Sequence, residues 1–132
     1  MSAMEQTLAT IERFNEAFNR HDLDAVLKFM TDDIVFENSS GGRFEGKVAV
    51  GGVLSRAFEL MALGRFNTEE MFAYEERCVV RWVYTFNRED PTRGNVRGVD
   101  LFRVRNTKVA EKLSYVKSAE FVQQLGLQIP RT

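Results

Sequence analysis

The sequence predicts one α+β domain, in which a strongly curved antiparallel sheet wraps around helices and encloses an apolar pocket. Two features of the chain predict this class: helical periodicity fills most of the first half, and four long strand-like segments follow one another in the second half. Short links between neighbouring strands favour an antiparallel meander. Because long strands twist and bend around whatever covers them, we expect the helices to lie on one face of the sheet.

The first half of the chain predicts three helices and one strand. Apolar residues recur at spacings of three and four over residues 4–21, as on an amphipathic helix. Asp22 is suited to cap a short second helix, because its carboxylate can accept the free backbone N–H groups of the next turn. A turn at residues 31–33 ends that helix, and residues 34–38 resemble a strand. A loop of serine and glycine then leads to a third helix, which follows Gly46 and runs to about Leu63. The apolar stripe of this helix faces the sheet.

The second half of the chain predicts a four-stranded meander and a C-terminal element. The strands cover residues 65–74, 77–87, 95–105 and 108–117. Residues 118–132 are predicted to form a short helix, which Ser118 can cap, followed by a tail. We expect this C-terminal segment to dock over the pocket mouth or beside the sheet.

The alternation of side chains separates the two faces of the sheet. In the strand over residues 95–105 one face carries Asp100 among Val96, Phe102 and Val104, while the other face mixes valine and leucine with arginine. A mixed face of this kind is typical of a sheet surface that another subunit covers. We therefore predict a homodimer through an outer face that includes Val79, Val83, Val99, Leu101 and Leu113.

The composition of the 132 residues limits the possible functions. The net charge of -1, from 18 basic and 19 acidic residues, gives no bulk field that would attract nucleic acid or an anionic membrane. Cys78 and His21 are the only cysteine and histidine, which excludes an internal disulfide and a conventional zinc site. No apolar run approaches the roughly 20 residues that cross a bilayer. We expect a cytoplasmic protein with a small hydrophobic ligand and with no metal or cofactor.

Asp100 is the strongest candidate for chemistry, because its strand face is expected to lie under the helices. Burying a carboxylate costs several kcal/mol unless it is paired or protonated, and such acids often lie at functional sites. A structural acid, held by hydroxyl or helix donors or placed at a wet strand end, is the alternative. A three-residue turn at residues 105–107 would place Lys112 opposite Asp100 and beside Ser114 on the inner face. A two-residue turn would place Leu113 opposite Asp100 instead.

Other residues give weaker signals. Trp82, Tyr84 and Phe86 alternate on one strand face, which fits a pocket wall and plain core packing equally well. His21 lies beside Asp22 at a helix junction, where a solvated or capping histidine is commoner than a catalytic one.

Five segments carry a resemblance to a known family: FNEAFNRHDLD at 14–24, DDIVFEN at 32–38, FEGK at 44–47, GVDLFRV at 98–104 and VAEKLSYVK at 109–117. Together they resemble the SnoaL-like branch of the nuclear transport factor 2-like superfamily, which includes polyketide cyclases, ketosteroid isomerases and limonene epoxide hydrolases. The resemblance implies a cone-shaped curved sheet wrapped around three N-terminal helices. It also implies that residues 1–132 form one SnoaL-like domain.

The resemblance implies roles for particular residues. Asp100 matches the acid that SnoaL-type cyclases use as acid/base and that ketosteroid isomerases use as a protonated hydrogen-bond donor. The isomerase general base falls on Asn38 and its oxyanion-hole tyrosine on Phe14, and neither residue can do that work. The aspartate, arginine and aspartate of the epoxide hydrolases fall on Tyr84, Trp82 and Ser114. Since the isomerase and epoxide hydrolase sets are incomplete, the resemblance implies a cyclase-like site with Asp100 as its one acid.

Two hypotheses follow. The first is a cofactor-independent enzyme of the cyclase or isomerase type that acts on a small hydrophobic carbonyl compound, with Asp100 shuttling a proton and Asn38 or Tyr84 orienting the substrate. The second is a non-catalytic dimeric small-molecule-binding protein in which Asp100 and Lys112 form a structural ion pair. An unpaired Asp100 open to a ligand-sized void would favour the enzyme, and a filled interior with Asp100 locked to Lys112 would favour the binding protein. The predicted substrate-binding residues are Phe14, Asn38, Trp82, Tyr84, Phe102, Lys112 and Ser114.

Overall fold

The computed structural model describes residues 2–90 and 95–117 of the chain. Within this part the helices are α1 (Ala3–Asn19), α2 (Leu23–Lys28) and α3 (Lys47–Leu60). The strands are β1 (Met30–Glu37), β2 (Arg43–Glu45), β3 (Arg65–Tyr74), β4 (Arg77–Thr85), β5 (Asn95–Arg105) and β6 (Lys108–Val116). The predicted α+β class is confirmed, because N-terminal helices pack against one curved, unclosed sheet of six strands.

The first two helices begin where a side chain can satisfy their free N–H groups. The Ser2 hydroxyl accepts the backbone N–H of Glu5 at 3.1 Å at the start of α1. The predicted cap at Asp22 is confirmed, since its carboxylate accepts a backbone N–H of α2 at 3.1 Å. The turn predicted at residues 31–33 is wrong, because β1 already begins at Met30. Pairing with β6 at Met30 and again at Val35 anchors the chain on both sides of this segment and overrides the turn preference of its aspartates.

The strand order in the sheet is β2-β1-β6-β5-β4-β3. β3 to β6 form the predicted antiparallel meander, in which neighbours along the chain are paired. β1 pairs with β6 in parallel and the short β2 pairs with β1 in antiparallel, so the sheet is mixed and not wholly antiparallel as predicted. The short-link rule could not reveal the β1–β6 pair, because a helix and several strands separate these two strands in the sequence.

The link between β5 and β6 is a two-residue turn, so the predicted three-residue turn is wrong. Arg105 pairs with Lys108, and Asn106 and Thr107 lie between them with φ values of 52° and 60°. Both values are in the left-handed region, as a type I′ hairpin turn requires. Asn adopts this conformation readily but β-branched Thr does not, so the residue types alone do not signal this turn.

A β-bulge at Ala110 then keeps the polar residues of β6 on the predicted face. The register of β6 against β5 shifts by one residue at the bulge, so Asp100 lies opposite Ser114 and not opposite Lys112 or Leu113. Lys112 and Ser114 both contact Asp100 on the inner face. Without the bulge, the two-residue turn would have placed Leu113 opposite Asp100.

The two faces of β5 differ in burial as the alternation predicted. Asp100 and its neighbours on the inner face are buried, whereas the residues between them are half-buried or exposed. The apolar residues predicted to lie on the outer face are half-buried in the single chain: Val79, Val83, Val99, Leu101 and Leu113. That a second subunit covers them stays a prediction.

The C-terminal helix and tail predicted for residues 118–132 lie outside the described residues. Within the described ranges, no helix has the length and apolar character needed to cross a membrane. The cytoplasmic location stays a prediction.

Candidate functional site

A cavity of about 240 Å³ lies between α3 and the inner face of the sheet. Its wall is mostly apolar and aromatic with a few polar groups, which is the usual composition of a small-molecule site. The α3 stripe that was predicted to face the sheet supplies Val53, Leu54, Ala57 and Met61. The other apolar residues of the wall are Phe18, Phe36, Phe66, Val96 and Val116.

Asp100, Ser114 and Lys112 form a buried polar cluster beside this cavity. The Ser114 hydroxyl donates to Asp100 Oδ1 at 2.7 Å. The Lys112 ammonium lies 3.4 Å from Asp100 Oδ2 and donates to Ser114 Oγ at 3.1 Å. Only 6% of the Lys112 side chain and 8% of the Asp100 side chain are exposed. The ion pair that the sequence suggested is therefore present, although Lys112 reaches Asp100 diagonally across the strands.

Three phenylalanine rings surround the Lys112 ammonium. Lys112 Nζ lies 5.1 Å from the ring centroids of Phe18 and Phe36 and 6.0 Å from that of Phe102. The faces of aromatic rings attract a cation, and this attraction is stronger where water is excluded. The carboxylate of Asp100 and these rings together fix the position of the ammonium group in the cavity wall.

Asp100 itself does not line the larger cavity. It borders a second void of about 20 Å³, which has room for about one water molecule. A ligand in the larger cavity therefore reaches Asp100 through the Ser114 hydroxyl or after the wall between the two spaces moves. We call this wall the partition; it consists of the residues that line both spaces, Phe18, Phe66, Trp82 and Lys112.

Trp82 is the part of the partition that β4 contributes. Its ring lies over Gly98 of the adjacent β5, where a Cβ atom would come within 2.4 Å of the ring. Gly98 therefore leaves the room that the indole occupies. Trp82 is only 4% exposed, and its buried Nε1–H has no hydrogen-bond partner among the described residues.

Tyr84 lies in the cavity wall one inward position beyond Trp82 on β4. Its hydroxyl sits so close to Gly64 that a Cβ atom there would come within 1.7 Å of Tyr84 Oη. Burial raises the pKa of Tyr84 above its usual value of 10.0. The phenol therefore stays protonated at neutral pH and can donate a hydrogen bond.

Asn38 is fixed by the loop that follows β1. Its Oδ1 accepts the backbone N–H groups of Ser40 at 3.2 Å and Gly42 at 2.9 Å, and the Ser40 hydroxyl at 2.8 Å. These contacts leave the amide nitrogen, which is a donor only, as the polar group that Asn38 can offer to a ligand. Asn38 has a structural role here that the sequence did not indicate.

The described residues contain a buried thiol but no candidate metal centre. Burial raises the pKa of Cys78 to about 12, so the thiol is neutral and is a poor nucleophile. Within residues 2–90 and 95–117, no group of three or more His, Cys, Asp and Glu side chains is placed to hold a metal ion.

The predicted substrate-binding residues divide into two groups. Phe14 and Phe102 line neither space; they are fully buried, and their rings pack edge to face in the core with centroids 5.8 Å apart. The strand residues Phe36 and Phe66 line the cavity but were not singled out, because alternation marks a buried face without separating core from cavity wall. The predicted residues that line the larger cavity are Asn38, Trp82, Tyr84, Lys112 and Ser114.

The SnoaL-like domain family matches residues 11–112 of the chain. The chain belongs to the SnoaL-like family. This match spans most of the chain and confirms the resemblance carried by the five sequence segments. No curated protein matches the chain in sequence.

Solved structures of this fold are similar over nearly the whole SnoaL-like chain. A nuclear transport factor 2-like protein of unknown function from Mesorhizobium loti is 32% identical, with a TM-score of 0.74 over 89% of this chain and 95% of that one. A proposed polyketide cyclase from Xanthomonas campestris is 23% identical, with a TM-score of 0.76 over 94% and 99% of the two chains. A proposed SnoaL-like polyketide cyclase from Shewanella putrefaciens is 19% identical, with a TM-score of 0.80 over 93% and 87%. The last two similarities show the fold alone.

Proposed function

We propose that this SnoaL-like protein is a cofactor-independent enzyme of the cyclase or isomerase type, which uses acid/base chemistry on a small hydrophobic carbonyl compound. The observation that supports the proposal is the buried cluster of Asp100, Ser114 and Lys112 beside an otherwise apolar cavity. Charged groups are costly to bury, and in enzymes such groups are concentrated where protons are transferred. Two of the structural neighbours are proposed polyketide cyclases, and their similarity supports the fold on which the proposal rests and not the roles of its residues.

In the proposed reaction, the cluster removes a proton from the carbon beside the carbonyl group. Ser114 Oγ takes that proton while its own hydroxyl proton passes along the 2.7 Å hydrogen bond to Asp100 Oδ1. The electron pair of the broken C–H bond moves onto the carbonyl oxygen and forms an enolate. The Lys112 ammonium, which lines the same cavity, stabilises the negative charge of that oxygen. Return of the proton to a different carbon completes an isomerisation. Attack by the enolate carbon on a second carbonyl group closes a ring, and the proton then passes from Asp100 through Ser114 to the new alkoxide oxygen.

The proposal can be tested without knowing the natural substrate. We expect the protein to accelerate exchange of the α-protons of 4-tert-butylcyclohexanone in D₂O, followed by ¹H NMR. Asp100→Asn keeps the side-chain shape but cannot accept the proton, so exchange should slow by about 10²- to 10⁴-fold. Ser114→Ala removes the link to the cavity but keeps the ion pair, and should also slow exchange.

Asp32→Asn is the matched control, because it makes the same chemical change at a fully exposed side chain. Exchange should be unchanged in this variant. Exchange as fast in Asp100→Asn as in the unmodified protein would contradict the proposed role of Asp100.

A second candidate function is ligand binding without catalysis. It is favoured by the contacts of Asp100, whose two carboxylate oxygens are engaged by Ser114 and Lys112 and which does not line the larger cavity. Because the ion pair is present, Asp100→Asn should lower the melting temperature under either function, so stability does not separate the two. Calorimetric binding of the ketone with no acceleration of exchange in the unmodified protein would favour this candidate.

A further inference from the structure

The indole N–H of Trp82 is a buried donor that nothing in the described part of the chain satisfies. Nε1 is closed off from solvent and has no hydrogen-bond partner there. Buried N–H groups in native proteins are nearly always paired, so an unpaired one beside a cavity calls for an explanation. Trp82 belongs to the partition, so its side chain borders both the 240 Å³ cavity and the small void that Asp100 borders.

The polar groups of the larger cavity are suited to a ligand that accepts hydrogen bonds. Lys112 and Trp82 can only donate, and Asn38 has only its donor nitrogen available. Tyr84 is a protonated phenol that can donate as well. The described residues that line this cavity include no carboxylate, since Asp100 lies behind the partition. A ligand with carbonyl-type oxygen therefore matches the cavity, whereas a cationic ligand has no counter-charge in it.

Lys112 and Trp82 lie in the same partition, one as a cation and one as a neutral donor. Lys112, Trp82 and Ser114 all line the larger cavity, so a ligand oxygen placed against the partition lies among their side chains. Nε1 is closed off as the indole stands, so this oxygen meets the N–H once the indole turns towards the cavity. Pairing with such an oxygen would satisfy the one polar atom of Trp82 that folding leaves unpaired.

We infer that the Trp82 Nε1–H donates a hydrogen bond to the carbonyl or enolate oxygen of the bound ligand and so determines specificity for ligands with an acceptor atom. The inference rests on the proposed use of this cavity for a carbonyl compound, but it does not require that the compound react. It assigns to Trp82 a positioning role for the same oxygen that Lys112 stabilises.

NMR tests this inference directly, because Trp82 is the only tryptophan in the sequence. A ¹⁵N-labelled protein will show one indole N–H signal. We expect the proton to move downfield when 4-tert-butylcyclohexanone is added, since a new hydrogen bond deshields it. The matched hydrocarbon 4-tert-butyl-1-methylenecyclohexane replaces C=O by C=CH₂ and should produce no such downfield shift. Equal shifts with both compounds would overturn the inference.

Calorimetry on the same pair of compounds provides the energetic test. The ketone should bind the unmodified protein about tenfold more tightly than the hydrocarbon, the usual scale for one hydrogen bond to a buried donor. Trp82→Phe removes the N–H and also part of the ring, so both compounds lose affinity from the smaller ring. The ketone should lose about tenfold more than the hydrocarbon, and equal losses would overturn the inference.

The outcomes also separate this inference from the proposed function. A ketone that binds with the indole shift but does not exchange its α-protons would support the role of Trp82 and contradict catalysis. Catalysed exchange without preference for the ketone over the hydrocarbon in binding would contradict the role of Trp82 alone. If Trp82→Phe does not fold, as judged by circular dichroism, the NMR comparison on the unmodified protein still decides the question.

Discussion

Ion pairs lie on both faces of the same sheet, and their surroundings differ more than their distances. On the inner face, Asp100 and Lys112 are 3.4 Å apart and almost closed off from solvent. On the outer face, Arg81 and Glu69 are 2.9 Å apart, with 49% and 38% of their side chains exposed. Exposed pairs contribute about 0–1 kcal/mol, whereas removing one partner of a buried pair costs about 3–5 kcal/mol. Breaking the Asp100–Lys112 pair should therefore cost more stability than breaking the Arg81–Glu69 pair, although its two atoms are farther apart, because burial determines the cost.

The same substitution on each face tests this difference most strongly. Lys112→Met should lower the free energy of unfolding by about 3–5 kcal/mol, because Asp100 is left buried without its counter-charge. Arg81→Met should lower it by less than about 1 kcal/mol. Urea unfolding followed by circular dichroism measures both values. Adding Asp100→Asn to Lys112→Met should recover part of the loss, and equal costs for the two single variants would break the comparison.

Two glycines extend the comparison of interior and exposed positions to packing. Gly64→Ala should destabilise the protein by about 1–3 kcal/mol, because the new methyl group displaces the Tyr84 side chain. Gly52 lies in α3 with no atom close to where its Cβ would be, so Gly52→Ala should stabilise the helix by about 0.5–1 kcal/mol. Thermal melting gives the sign of each change. A Gly64→Ala protein as stable as the Gly52→Ala protein would show that Tyr84 moves at no cost.

The outer face also carries the predicted dimer contact. If a second copy covers it, the unmodified protein should sediment as a dimer at micromolar concentration, and Leu101→Arg should shift it towards monomer by placing a charge in an apolar contact. Leu60→Arg is the control, because Leu60 is exposed on α3 and away from this face. A monomer in the unmodified protein would remove the dimer prediction.

The smallest expected effect concerns His21, at the end of α1. Burial, and then the nearby charge of Arg88, lower the pKa of His21 below its usual value of 6.5. The unfolded chain therefore binds the proton more readily than the folded one, and stability falls as the pH drops from about 6.5 through the lowered pKa. His21→Asn should flatten this part of the profile, and Asn tolerates the φ of 55° found there. Urea unfolding at pH values on both sides of 6.5 measures the free energy of unfolding of each protein. If this free energy falls equally in the unmodified protein and in His21→Asn, His21 is not the group responsible.

Local patterns were enough to predict most of the fold. The bounds of β3 and β5 agree with the sequence prediction, and the Asp22 cap and the α3 stripe lie where their spacing placed them. Helical and strand periodicity depend on residues that are close along the chain, which is why these features can be read without tertiary contacts. The parallel pairing of β1 with β6 could not be predicted in this way, because it joins segments far apart in the sequence.

The candidate site was predictable in its residues but not in its arrangement. Alternation along β5 places Asp100 on the buried face independently of the register of β6, since successive side chains of one strand point to opposite faces of the sheet. Its partner depends on the Ala110 bulge, which puts Ser114 opposite Asp100 and leaves Lys112 to approach diagonally. The partition that keeps Asp100 from the larger cavity depends on packing between α1, β3, β4 and β6. Contacts between such distant segments are fixed by shape and volume in the folded interior, and no local pattern encodes them.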